Sequence, residues 1–238
     1  MSLSVAEVAS TLDHAVLKPQ ATERDLAEAA VMCRNRGVGC LCVRPVDVAA
    51  ACALLSGSDV VVASVVGFPH GGSRADVKAF EAAQAIADGA RELDMVMNIG
   101  AFRSGHTGLV RADIAAVVAE ARAAANPVLV KVILETCLLT LDEVASACLL
   151  AEEAGADYVK TSTGFAEKGA SPEAVVTMLE TVGGRLGVKA SGGIRTWADA
   201  VRYIDMGCGR IGVGDAASIL DGAPGATTAG NPSASGGY

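Results

Sequence analysis

Residues 127–162 read PVLVKVILETCLLTLDEVASACLLAEEAGADYVKTS. Residues 127–134 form an apolar run broken only by Lys131, the pattern of a strand buried on both faces. Thr140 then stands as an N-cap before 141–154, where the spacing predicts a helix. Residues 157–162, DYVKTS, read as a second strand. A strand, a helix and a strand in succession imply parallel pairing through a right-handed crossover.

The same alternation extends in both directions. Toward the N-terminus, a leading helix is predicted near 3–11 and strands over 12–18 (LDHAVLK), 38–43 (VGCLCV), 60–66 (VVVASVV) and 92–98 (ELDMVMN). The intervening helices run from a Thr22 cap, with Asp25 at the third helical position, to Gly37, from Pro45 to about Leu55, over 74–88 behind a Ser73 cap, and over 107–125. Toward the C-terminus, Ser171-Pro172 opens a helix to about Val182. Strand 186–191 (LGVKAS), a Thr196-capped helix 197–206, strand 210–214 (RIGVG) and a short helix 215–220 complete the pattern. Eight strands, each followed by a helix, predict a single-domain α/β chain closed as a (β/α)8 TIM barrel; an open doubly wound sheet more often has five to seven strands. The barrel is expected over 1–221. Residues 222–238, GAPGATTAGNPSASGGY, lack periodicity and read as a flexible Gly/Ala/Ser-rich tail.

Composition agrees with one large core. Of the 238 residues 51% are apolar and only 3% aromatic, which suits a barrel interior filled by branched aliphatics inside Ala-rich helices. The net charge of −8 argues against nucleic acid and anionic lipid as partners. An anionic substrate therefore needs a local positive site. The seven cysteines are odd in number and lie in apolar runs, which points to a reducing cytoplasm rather than a disulfide framework. Cys40 and Cys42 share one face of a strand as small core residues. The N-terminus carries no signal-peptide pattern, and no apolar run has membrane-spanning length.

Catalytic groups in such a barrel sit at the C-terminal ends of the strands. A charge inside an apolar strand costs several kcal/mol unless it is paired, so it marks a position worth attention. Four charges qualify: Asp94, Lys131, Lys160 and Lys189, on strands four to seven. Singly, each could be an edge residue with a snorkelling side chain. On consecutive strands they converge on one focus, where the three lysines and the carboxylate perturb one another. Crowding by cations and partial burial both favour a free amine, which attacks a carbonyl. The resulting iminium is an electron sink, and a carboxylate such as Asp94 can move protons through water. This chemistry needs no cofactor and no metal, and His14, His70 and His106 are scattered. Ser191-Gly192-Gly193, between strand seven and its helix, offers backbone for an anion, and Gly212-Val213-Gly214-Asp215 ends strand eight nearby.

At these residues the chain resembles the deoxyribose-phosphate aldolase family, whose members use a lysine Schiff base. The runs LDHAVLKP (12–19), VVGFPHG (65–71), ELDMVMNIGAFRSG (92–105), VKVILET (130–136), AGADYVKTSTGF (154–165), VKASGGIRT (188–196) and RIGVG (210–214) occur in family order over about residues 10–220. The resemblance implies Lys160 as the Schiff-base lysine, Lys189 as the cation that lowers its pKa, and Asp94 in proton transfer. It implies Asp13 and Lys131 as supporting charges, and Gly164, Gly192 and Gly193 with Ser191 and Gly214 around a phosphate. Cys42 matches a cysteine near the nucleophile. Tyr238 resembles a tail tyrosine that folds over the site in some members. Sugar phosphates and aldehydes are the implied small-molecule partners, and a homodimer is compatible with the family although no surface stripe argues for it. One departure stands out: the family usually offers serine hydroxyls after strand eight, where this chain has Gly214-Asp215. An aspartate there either points away or repels phosphate, so a raised KM for phosphorylated substrate is expected. Read from the residues alone, a related Schiff-base lyase on another aldol, a sugar-phosphate isomerase without a covalent step, and a binding barrel with structural lysines remain open.

Overall fold

The computed structural model describes residues 3–225. Eight parallel strands close into a barrel in chain order. They are β1 (Leu12–Val16), β2 (Cys40–Val43), β3 (Val61–Val66), β4 (Glu92–Val96), β5 (Leu129–Ile133), β6 (Tyr158–Lys160), β7 (Gly187–Ser191) and β8 (Arg210–Val213). Around them lie α1 (Val5–Thr11), α2 (Glu23–Arg36), α3 (Val48–Leu54), α4 (Ala75–Ala87), α5 (Ile99–Arg103), α6 (Thr107–Ala123), α7 (Leu141–Glu153), α8 (Pro172–Val182), α9 (Trp197–Met206) and α10 (Ala216–Asp221). The expected (β/α)8 barrel is the fold observed. The expected tail lies outside the described residues except for 222–225.

Local chemistry sets the helix ends. Thr22, Thr140 and Thr196 each accept a hydrogen bond from the third helical N–H, and Asp25, Glu143 and Asp199 reach back to the cap, two orphan donors satisfied at once. Gly37 and Gly183 end their helices in the left-handed conformation. The expected Ser73 cap is a correction: α4 begins after an extended Arg74 that makes no side-chain cap bond, and the Arg74 guanidinium pairs with Asp76 instead. Two short features escape the periodicity. Asn98 accepts from the Ala101 N–H and starts the one-turn α5, and the segment opening at Pro45 is a 3-10 turn (Pro45–Asp47) before α3.

The core has two parts. Between strands and helices pack branched and other apolar side chains, among them Leu93, Met95, Val130, Val132, Val159 and Val188. Each such fully buried side chain stabilises the fold by about 1.5–3 kcal/mol. A second, smaller cluster contains Leu17, Cys40, Cys42, Ala63 and Val65 from the first three strands and their margins. Both paired cysteines are thus small apolar core residues, and all seven cysteines are free. An interior filled throughout by branched aliphatics is not what the barrel has. The same period-2 alternation that buries Leu93 and Met95 outward sends Glu92 and Asp94 to the other face, and these meet Lys131, Lys160, Lys189, Arg210 and Asp13. Charges at such depth persist because they neutralise one another. A further buried pair lies outside the sheet: Lys78 Nζ on α4 binds Asp113 Oδ2 on α6 at 2.6 Å and the Val96 carbonyl at 2.8 Å. No helix among the described residues is long and apolar enough to cross a membrane.

Candidate active site

Strand register explains the convergence. Asp94 on β4 pairs with Lys131 on β5, Lys160 on β6 with Lys189 on β7, and Lys189 with Arg210 on β8. Asp13 on β1 stands opposite Gly212. A Cβ at Gly212 would lie 2.7 Å from Ser191 Cβ and 3.1 Å from Lys189 Cε, so the absent side chain leaves room for the lysine.

Asp94 is the hub. Its Oδ1 accepts from Lys131 Nζ at 2.8 Å, and its Oδ2 accepts from both Lys160 Nζ and Lys189 Nζ at 2.7 Å. Lys131 also binds Glu92 at 2.5 Å, and Lys189 binds Asp13. Arg210 spans Asp13 Oδ1 at 2.7 Å and both oxygens of Glu92 at 2.9 and 2.7 Å. The four sequence-selected charges and Asp13 are therefore in one buried network, and the two lysines at 160 and 189 share a single carboxylate oxygen.

Glu92 and Arg210 belong to this network and were not singled out from the sequence. Both stand at the first position of an apolar run, where a strand boundary explains a charge. Their signal was the two-residue spacing from Glu92 to Asp94, which puts both on one face. The Asp13, Glu92 and Cys40 donor atoms lie close enough to hold a metal ion, a cluster the sequence did not suggest. Arg210 and Lys131 already sit against its carboxylates and supply the positive charge.

The cations and carboxylates do not balance. Lys131, Lys160, Lys189 and Arg210 face Asp13, Glu92 and Asp94, which leaves one surplus positive charge. Burial alone lowers the pKa of each of these lysines. For Lys131 and Lys189 the pull of Asp94, Asp13 and, for Lys131, Glu92 overcomes burial and raises the pKa above the usual lysine range. Lys160 has only Asp94, which it shares. Burial first, and then the Lys189 charge, lower its pKa. Asp94 and Asp13 resist their own burial because the surrounding cations hold both carboxyls below the ordinary carboxylate value. Lowering of Lys160 by its neighbour is thus the smaller effect, and desolvation the larger.

Lys160 lies on the wall of a cavity of about 240 Å³ together with Asp13, Ala15, Cys42, Lys189 and Thr163. Burial pushes the Cys42 thiol up to about 11, so it is not a thiolate at neutral pH. Gly164, Ser191, Gly192, Gly193, Gly214, Asp215 and Ser218 line the same cavity. Gly164, Gly192 and Gly193 have φ of 85°, 83° and 76°, open to glycine without strain. The Ser191 hydroxyl donates to the Ser162 carbonyl at 2.6 Å and so ties the loop after β6. Asp215 is the N-cap of α10, with Oδ1 accepting from the Ser218 N–H at 3.0 Å and Oδ2 from the Ser218 hydroxyl at 2.6 Å. Tyr238 lies outside the described residues.

Comparison with known proteins agrees with this geometry. Residues 8–213 match the family described as DeoC/LacD family aldolase. A deoxyribose-phosphate aldolase of Geobacillus sp. (strain WCH70) is 48% identical over 215 residues, covering 90% of this chain and 95% of that protein. A deoxyribose-phosphate aldolase of Brevibacillus brevis is 49% identical over 212 residues, covering 89% and 94%. The solved tetrameric deoxyribose phosphate aldolase of Aeropyrum pernix superposes with a TM-score of 0.85 at 34% identity, covering 92% of this chain and 91% of that one. With such identity sustained across its barrel, this chain belongs to the DeoC/LacD family of aldolases.

Proposed function

We infer that this chain is a deoxyribose-phosphate aldolase: it cleaves 2-deoxy-D-ribose 5-phosphate reversibly to D-glyceraldehyde 3-phosphate and acetaldehyde through a lysine Schiff base. The observation that carries the mechanism is a buried lysine on the cavity wall, Lys160, which shares its ion-pair partner Asp94 with Lys131 and Lys189 and whose pKa burial lowers. Lys160 as free amine adds to C1 of the open-chain sugar, and loss of water gives the iminium. A proton leaves the C3 hydroxyl, the C2–C3 electron pair flows toward the iminium nitrogen, and glyceraldehyde 3-phosphate departs. The enamine left on Lys160 takes a proton at C2, and water hydrolyses the new iminium to release acetaldehyde. Asp94 moves these protons through water. Burial, and to a smaller extent Lys189, favour the unprotonated form of Lys160, and Asp13 and Lys131 hold Asp94 and Lys189 in register. Gly164, Gly192, Gly193, Gly214 and the Ser191 turn, which line the same cavity, receive the phosphate. Cys42 is a neutral wall beside the reacting carbon.

Borohydride reduction in the presence of acetaldehyde tests this reading. Activity is expected to disappear irreversibly, with the mass of one ethyl group added at Lys160 in peptide mapping. Inactivation without that adduct, or turnover retained by Lys160→Ala, refutes the covalent route.

A further inference from the structure

Glu135 is a buried acid outside the ion-paired network, only 3% exposed just past the end of β5, and its charge and that of Lys160 act on each other. Its backbone is left-handed, φ 56° and ψ 61°, and among the described residues it is the one non-glycine with positive φ. Side chains with a Cβ avoid this region because the Cβ crowds the next carbonyl oxygen. A residue stays there only when its surroundings fix it. On either side of it the backbone keeps to the β6 ladder, Leu134 N–H to the Lys160 carbonyl and Thr136 N–H to the Thr161 carbonyl, both at 2.9 Å. Glu135 alone is turned out of that ladder, and its carboxylate meets Thr163.

The contact is a clamp. The Thr163 N–H reaches both carboxylate oxygens at 3.3 Å, and the Thr163 hydroxyl donates to Oε2 at 2.5 Å. The same hydroxyl accepts from the Phe165 N–H at 3.0 Å, so the turn around Gly164 is fixed from its inner side. Thr163 and Gly164 wall the cavity three and four residues beyond Lys160. From the opposite side Ser191 holds Ser162. The loop that follows the reactive lysine is thus gripped by the strands on both flanks.

We propose that Glu135 is a positioning residue for the reaction: by clamping Thr163 it sets Gly164 at its distance from Lys160, and so fixes the grip on the end of the substrate remote from the reacting carbonyl. The inference rests on the aldolase reading above. It assigns the strained backbone to substrate binding rather than to folding.

Steady-state cleavage of 2-deoxyribose 5-phosphate and of unphosphorylated 2-deoxyribose tests it in the full chain. In Glu135→Gln and in Thr163→Val the KM for the phosphorylated sugar is expected to rise roughly tenfold, the order of one lost hydrogen-bonded contact. In Thr163→Val, which leaves the Glu135 charge near Lys160 in place, neither kcat nor the constants for the unphosphorylated sugar should move by more than about twofold, and Thr163→Ser should restore KM. The double variant should be no worse than either single one. Glu135→Gly relieves the backbone and should keep or raise the thermal midpoint while KM still rises, which a merely structural role would not give. An unchanged KM in Glu135→Gln and Thr163→Val overturns the proposal, as does an equal loss for both sugars. The unaltered chain is assayed alongside: normal cleavage there with a normal Glu135→Gln removes only this inference, whereas no cleavage of either sugar removes the aldolase reading and the inference with it.

Discussion

Lys160 and Lys189 sit at the same level on adjacent strands and bind the same oxygen of Asp94, yet their protonation is pushed in opposite directions. The difference is Asp13, which Lys189 has and Lys160 lacks. One carboxylate, placed on β1 by register, thereby separates the two amines. The residues that announce themselves in the sequence are charges set inside apolar runs on consecutive strands, such as Lys131 in VLVKVIL and Lys160 in DYVKTS. Glu92, Arg210 and Glu135 stand at run boundaries, where charge is ordinary, and only register or backbone angle reveals them. Asp215 is a different case: the sequence marked it as a departure, and the geometry gives its carboxylate to the α10 cap while leaving its charge beside the cavity. Asp215→Ser keeps a capping oxygen and removes the charge. It should lower KM for phosphorylated substrate about fivefold, an effect of roughly 1 kcal/mol as for charges about 4 Å apart in water, with little change for the unphosphorylated sugar. Kinetics on the two sugars check this, and unchanged discrimination would remove the idea that Asp215 weakens phosphate binding.

At the scale of elements, strands and helices were legible because two periods alternate without a break, and capping residues marked most helix starts. The α4 start was misread because Ser73 has the right chemistry but an extended Arg74 follows it, and short elements such as α5 are too brief for a period to register. The Thr140–Glu143 box closes the start of α7, the helix that follows the β5 loop carrying Glu135. Thr140→Ala should cost about 1 kcal/mol of stability. Denaturant unfolding checks the value, and kcat should be untouched because the cap is exposed and its hydrogen bonds stay within the start of α7. A loss below about 0.3 kcal/mol would mean that the box is frayed in solution.

For the molecule as a whole, the barrel interior is divided: small apolar side chains on β2 and β3, paired charges on β1 and on β4 to β8. The sequence could show that charges were present but not how they balance, because that depends on which strands become neighbours on closure. pH acts on this arrangement and on His14, whose pKa burial lowers from 6.5 to about 4. Between those values the unfolded chain binds a proton that folded His14 refuses, so stability is fully present above pH 6.5 and declines toward pH 4. His14→Asn, which keeps an acceptor for the Ala216 N–H, should flatten the thermal midpoint across that window; an unchanged slope would assign the acid loss to other groups. Below it the depressed Asp13 and Asp94 carboxyls remain paired, and their contribution is lost only as pH falls through their folded values. The central question is which amine of the ion-paired network gives up its proton first. Titration of lysine Cε carbons by NMR, with Lys160 assigned through Lys160→Met, reads this directly. Lys160 should titrate below 10.5, ahead of Lys131 and Lys189, and should move upward in Lys189→Met, where repulsion is gone and Asp94 is left to Lys160 and Lys131. Lys160 titrating at or above 10.5, or Lys189 losing its proton first, would contradict this order.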